Sequence, residues 1–182
     1  MKISFGTDGW RGIISREVTF DNVETIAQAY ADYLIDQQTG KKGVVVGYDT
    51  RFLSREYAHT AAHVLAANGI PVFLTVKATA TPAVSYSVKN LRTAGGLVVT
   101  ASHNPALYNG IKIKGWYGGS ATPEMTQEIA AFLDKSPVKR RPDSSLISVF
   151  DADKDYMEQL KKIVDWHAIQ NSGLRIIVDP MY

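Results

Sequence analysis

The stretch Gly95–Pro105 reads G-G-L-V-V-T-A-S-H-N-P, and its two halves ask for different structures. Leu97-Val98-Val99 is short, apolar and β-rich behind two glycines, the pattern of a strand covered on both faces. Thr100 to Pro105 is polar and closes on proline, so the chain must turn there and carry Ser102 and His103 to a sheet rim. Val44-Val45-Val46 and Val72-Phe73-Leu74 are runs of the same kind, each flanked by Gly or Pro. Helical periodicity fills the intervals. Val23, Ile26, Ala27, Tyr30 and Leu34 repeat at steps of three and four, behind Thr19 or Asp21 as a cap. Tyr57, Ala61, Val64 and Leu65 do the same and stop at Asn68-Gly69. Thr81-Pro82 offers a capping hydroxyl and a first-turn proline for a helix to about Lys89. Strands alternating with helices predict an α/β fold: a three-layer α/β/α domain with a mostly parallel mixed sheet.

Beyond the quoted loop, Asn109-Gly110 is a turn dipeptide. Ile111-Lys112-Ile113-Lys114 then alternates strictly, which predicts a strand with one apolar and one lysine face, antiparallel to its neighbour. Glu124 to Leu133 reads as a helix. Ser136 to Ser145, rich in Pro, Ser and charge, reads as a linker, with Lys139-Arg140-Arg141 solvated inside it. Asp153 to Trp166 carries a stripe of Tyr156, Leu160, Ile163 and Val164, and Leu174 to Val178 reads as another buried strand. One helix and one strand cannot bury their own apolar faces. The expected division is therefore a domain over 1–148, followed over 149–182 by a linker and the first helix and strand of a second α/β domain, cut short.

The chain has 182 residues, 45% hydrophobic and 21% charged, with a formal net charge of +2 and no cysteine. That composition is globular. The charge is too mild for a nucleic-acid partner, and no apolar run reaches the roughly 18 residues of a membrane span. Without cysteine there are no disulfides, thiolate metal sites or cysteine nucleophiles. The N-terminus turns polar and glycine-rich before a signal segment can form, so a cytoplasmic location is expected.

Ligands of open α/β sheets bind beyond the carboxyl ends of the strands. Three loops qualify: Tyr48–Arg51, Lys77–Thr81 and Thr100–Pro105. The last is the richest, with Ser102 and His103 on the turn and Lys112 returning on the polar side of the next strand. Gly6-Thr7-Asp8-Gly9-Trp10-Arg11-Gly12 spaces glycine every third residue, which lets backbone approach closely while Arg11 presents a planar fork of donors. This set suits an anion. A phosphorylated Ser102 would carry about −1.5 to −2 charges, and each cation about 4 Å away would contribute roughly 4 kcal/mol before desolvation. A serine hydrolase is disfavoured, because G-x-S-x-G is absent and sequence neighbours such as Ser102 and His103 usually point apart. His59 and His63 lie at i, i+4, but without the glutamate or third ligand of a zinc helix. Asp151-Ala152-Asp153-Lys154-Asp155 reads as a capped helix start, and His167 as a residue answering a helix dipole. Trp116 and Tyr117 either stack on a sugar or cover the domain's edge. Asp49 and Arg51 either serve the site or simply pair to order their loop.

Four motifs in order, F-G-T-D-G-W-R-G (Phe5–Gly12), G-Y-D-T-R (Gly47–Arg51), T-A-S-H-N-P (Thr100–Pro105) and N-G-I-K (Asn109–Lys112), resemble the N-terminal domain of the α-D-phosphohexomutases, the phosphoglucomutase/phosphomannomutase family. L-R-I-I-V-D-P-M-Y resembles the first strand of that family's second domain. The resemblance implies that Ser102 is a phosphoserine that exchanges its phosphoryl group with a hexose phosphate through a hexose bisphosphate. Phosphate thereby moves between C1 and C6. It implies Lys112 as acid or base, Arg11 as the group orienting the phosphoserine, and His103 assisting proton transfer or fixing the loop. It further implies Mg²⁺ held between the Ser102 phosphate and three aspartates of a second-domain loop that this chain lacks. The remaining domains of a longer parent chain would then be partners, and the fragment alone would be inactive. The alternative is a non-catalytic phosphosugar-binding module. Glucose, mannose, glucosamine and N-acetylglucosamine phosphates all fit the motifs.

Overall fold

The three apolar runs form the centre of one sheet. The computed structural model describes residues 3–6 and 9–179. In chain order its elements are β1 (Trp10–Ile13), α1 (Phe20–Asp36), β2 (Val44–Tyr48), α2 (Ser54–Ala67), β3 (Val72–Thr75) and α3 (Thr81–Asn90). Then come β4 (Gly95–Val99), β5 (Tyr108–Gly115), α4 (Pro123–Ala131), β6 (Ile147–Phe150), α5 (Ala152–Ile163) and the short α6 (Trp166–Gln170). The sheet order is β1-β5-β4-β2-β3-β6. Only β5 runs against its neighbours, so the sheet is mixed and mostly parallel, as its sequence predicts.

Every residue of β2 and β4 is buried, because helices cover both faces. α1 packs on α2 and α4 over one face, and α3 packs on α5 over the other. The first layer holds the main core, in which Ile26, Tyr30, Leu34 and Leu65 meet Val44, Val46, Leu97, Ile111 and Ile113. The second closes over Val45, Val84, Val88 and Val98. Thr19 caps α1, its side chain accepting from the Asn22 amide at 3.3 Å. Thr81 does not cap α3. It is the first helical residue after Ala80, so its hydroxyl lies inside the turn it was expected to precede.

The structure departs from the sequence reading at both sheet edges. The glycine-spaced opening segment becomes β1, an edge strand held antiparallel to β5. Ile147–Phe150 becomes the opposite edge, parallel to β3 in the register Val72↔Ile147 to Thr75↔Phe150. The expected boundary at 148 therefore cuts a strand. The helix behind it also packs on the first domain's α3, with Tyr156 6.1 Å from Tyr86 between ring centres. α5 ends at Ile163, short of the expected Trp166, and Asp165 caps α6 through the Ala168 amide at 2.9 Å. Leu174–Val178, expected as a buried strand, pairs with no strand among the described residues, and Ile177 is 95% exposed. An apolar run becomes a strand only where a partner edge meets it. Lys114, on the lysine face of β5, is only 6% exposed and donates towards Ser120 Oγ at 3.4 Å.

Candidate active site

β2 passes to β3 through α2 on one face, and β3 passes to β4 through α3 on the other, so the chain reverses beside β2. The loops that leave β2 and β4 consequently meet at the carboxyl rim, where open sheets bind ligands. After Val99 the chain makes one more ladder bond, from the Thr100 amide to Gly110 O at 3.0 Å, and then turns. Thr100 Oγ1 accepts from the Ser102 amide at 2.9 Å, a local side-chain turn that explains threonine at this position. Ser102 itself sits at φ 57, in the left-handed region that L-residues enter only when neighbours hold them there. The result is an exposed hydroxyl at the tip of the turn, with His103 Nδ1 3.4 Å from Ser102 Oγ.

Arg11 on β1 and Lys112 on β5 lie on the strands next to this rim. Arg11 lies opposite Gly110 in the antiparallel pair, and Lys112 lies opposite Val98. Directly paired residues share a sheet face, and alternation puts positions 110 and 112 on the same one. Arg11 and Lys112 therefore stand on a common face, two residues apart along β5. Arg11 Nη1 donates to Asn104 Oδ1 at 2.9 Å, which ties it to the turn that carries Ser102. Glycine is required for that approach. A Cβ on Gly110 would lie 2.1 Å from Trp10 O and 2.9 Å from Arg11 Cα, and one on Gly9, at φ +98, would lie 2.2 Å from Ile111 O. Gly9 and Gly110 thus stand where the opening segment and β5 press against each other. Thr7 and Asp8 of the opening motif lie outside the described residues.

Residues 2–139 match the family described as phosphoglucomutase/phosphomannomutase, alpha/beta/alpha domain I. The chain belongs to that family. It is 31% identical to a phosphoglucomutase of Staphylococcus aureus (strain bovine RF122 / ET3-1), over all of this chain and 34% of that protein. The chain thus spans about a third of the length of the curated relatives it matches. Among solved structures, a candidate phosphomannomutase of Thermus thermophilus superposes with a TM-score of 0.87 at 37% identity, over 93% of this chain and 38% of that one. The phosphoglucomutase parafusin of Paramecium shares the fold, with a TM-score of 0.78 at 22% identity over 92% of this chain and 37% of that one.

The other sequence candidates fall elsewhere. β5 carries the chain away from the rim, and its eight residues at roughly 3.4 Å each put Trp116 more than about 20 Å below Tyr108. Trp116 and Tyr117 therefore do not line a cleft with Ser102. Asp151 accepts from the Asp153 amide at 3.0 Å and caps α5, while Lys77 pairs with Asp153 at 3.1 Å and Asp151 at 3.5 Å. His59 and His63 lie edge to face, 6.4 Å apart, and burial, with Arg55 and His63 adding to it, pushes the His59 pKa down. His167 lies in the five-residue α6. Arg51 is the residue whose place the motifs left open. Its side chain crosses to the Ser102 loop and engages backbone carbonyls there, a contact invisible in a sequence where they are more than fifty positions apart.

Proposed function

We propose that this chain is the phosphoserine domain of a phosphohexomutase, an enzyme that moves phosphate between C1 and C6 of a hexose phosphate through a hexose bisphosphate. The carrying observation is the exposed Ser102 hydroxyl on a left-handed turn whose Asn104 side chain accepts from Arg11. In the first half-reaction the bond between phosphorus and Ser102 Oγ breaks as one to a sugar hydroxyl oxygen forms; in the second, the bond from phosphorus to the sugar's other phosphate-bearing oxygen breaks and the one to Ser102 Oγ forms again. The first transfer moves a proton from the sugar hydroxyl to the serine oxygen, and the second moves one from the serine hydroxyl to the sugar oxygen that loses its phosphate. Lys112 receives or returns the sugar proton and holds the phosphate's charge. Arg11 orients the phosphoserine. His103, within reach of Ser102 Oγ, assists the proton or fixes the turn. Such transfer needs little from the protein beyond position and charge.

In this reading Mg²⁺ would be held by the Ser102 phosphate together with carboxylates outside these residues, and would offset the charge of the transferring phosphoryl group. Among the described residues, no three His, Asp or Glu side chains gather as a metal site. The same proposal makes exposed Leu174–Val178 the opening strand of a second domain, and the remaining domains of a longer cytoplasmic parent the source of sugar recognition. The test is mass spectrometry of the Ser102 peptide after the longer protein meets a hexose bisphosphate. Phosphate on Ser102, and loss of turnover in Ser102→Ala, are the expected results. Full turnover by Ser102→Ala would overturn the assignment, and an unmodified Ser102 would leave a phosphosugar-binding module. The 182-residue chain alone should convert no glucose 1-phosphate.

A further inference from the structure

We propose that Arg51 is the positioning residue of the phosphoserine turn: a largely buried cation that gathers four carbonyls of the Ser102 loop and so fixes the direction of the serine hydroxyl. The inference rests on the assignment of Ser102 as the phosphoryl carrier. Arg51 Nη2 donates to Ser102 O at 2.8 Å and Asn104 O at 2.6 Å, and Nη1 to Pro105 O at 2.9 Å and Tyr108 O at 3.0 Å. Nε faces Asp49 Oδ2 at 3.3 Å. Both Nη groups are thereby committed to loop carbonyls and Nε to an ion pair with Asp49, and the side chain is only 14% exposed.

Four carbonyl oxygens directed at one point repel unless a cation lies between them. The turn's own bonds are few: Ser102 amide to Thr100 Oγ1, Asn104 amide to Ala101 O, and Tyr108 amide to Pro105 O. They leave Ser102 in a left-handed conformation that an L-residue adopts only at a cost, so something outside the turn must hold it. Arg51 does so from a rigid base. Asp49 Oδ1 accepts from the Arg51 amide at 3.0 Å and from Ser54 Oγ at 2.7 Å, while Asn109 Nδ2 donates to Ser54 Oγ at 2.9 Å and to Phe52 O at 3.2 Å. The exits of β2 and β4 and the start of β5 thus become one unit. Arg51's charge is directed at carbonyls, whereas Arg11 reaches the turn through a side chain. The two arginines therefore have separate tasks. Lysine cannot replace Arg51, because an ammonium has three donors and no fork.

The experiment follows two readouts in Arg51→Met and Arg51→Lys. The first is amide hydrogen exchange in this chain. Exchange at Ser102, Asn104 and Tyr108 should accelerate at least tenfold in Arg51→Met and less in Arg51→Lys, with α1 amides unchanged. The second is single-turnover phosphorylation of Ser102 by hexose bisphosphate in the longer protein. A 1 Å misplacement is worth about 10²-fold in rate. The rate constant should therefore fall by about that factor in Arg51→Met and about tenfold in Arg51→Lys, while the half-saturating bisphosphate concentration moves less than threefold. A purely structural arginine would alter exchange in α1 and the turn alike and would leave no such split. If wild-type Ser102 is never phosphorylated, the enzyme assignment fails. If wild type is phosphorylated and both variants match it in rate and in loop exchange, the positioning role is wrong. Arg51→Lys keeps the charge and decides the question should Arg51→Met not fold.

Discussion

Gly110→Ala should damage both the stability of the domain and the placement of Arg11, by an amount set by one distance. An alanine Cβ at this position would stand 2.1 Å from Trp10 O, 2.9 Å from Arg11 Cα and 3.1 Å from Arg11 Cγ. Two of these obstacles are backbone, so no rotamer change relieves them. β1 must retreat by roughly 1 Å or more to restore ordinary van der Waals spacing. Overpacking of this kind costs about 1–3 kcal/mol. With a urea slope of about 2 kcal/mol per molar, a loss near 2 kcal/mol lowers the unfolding midpoint by about 1 M. The retreat also draws Arg11 Nη1 away from Asn104 Oδ1, now 2.9 Å distant. In the longer parent proposed above, the proposed phosphorylation of Ser102 should then slow by about 10²-fold. Urea unfolding followed by circular dichroism checks the first number, and rapid-quench phosphorylation the second. A midpoint within about 0.2 M of wild type, by the same slope, together with an unchanged rate, would refute the claim that glycine is there for close approach.

Two truncations separate the true edge of the sheet from the expected one. A chain ending at Ser172 loses described residues that are all exposed and should unfold within about 0.5 kcal/mol of the full chain. One ending at Leu146 loses β6 and α5 and uncovers Phe73 and Tyr86, and it should lose on the order of 3 kcal/mol. Equal stability of the two would argue against the β3–β6 pairing. Histidine titration provides a test by pH. Burial, then Arg55 and His63, lower the His59 pKa from its ordinary 6.5, with Glu56 opposing. The unfolded chain then binds more protons at His59 than the folded one, so this contribution to stability is complete above pH 6.5 and fades as pH falls through the lower folded value. NMR should place the His59 midpoint below 6.5, and His59→Asn should flatten the acid side of the stability profile. A midpoint above 6.5 would contradict the burial.

The central strands, α1, α2 and the Ser102 turn were legible in local sequence because each signal is confined to a few residues. A run such as Val44–Val46 has to be buried, T-A-S-H-N-P has to turn, and alternation in Ile111–Lys114 has to give a two-faced strand. The edges were not legible. β1 was not legible because Gly9 before it and Gly110 opposite it serve a close approach of the two backbones, and a sequence does not say which backbone is close. β6 is four ordinary residues after a polar linker that α1 holds down, Arg140 Nε bonding Glu24 Oε2 at 2.8 Å. Leu174–Val178 has strand composition without a partner strand among the described residues, and pairing is a property of two segments. Sequence alone therefore determined the layer order, the identity of the turn and the residue types around it. Only the tertiary structure decided that Arg51 closes over the turn and that Trp116 lies at the far end of β5 from it. Local propensity fixes what a segment can become, whereas long-range packing fixes which groups share a space.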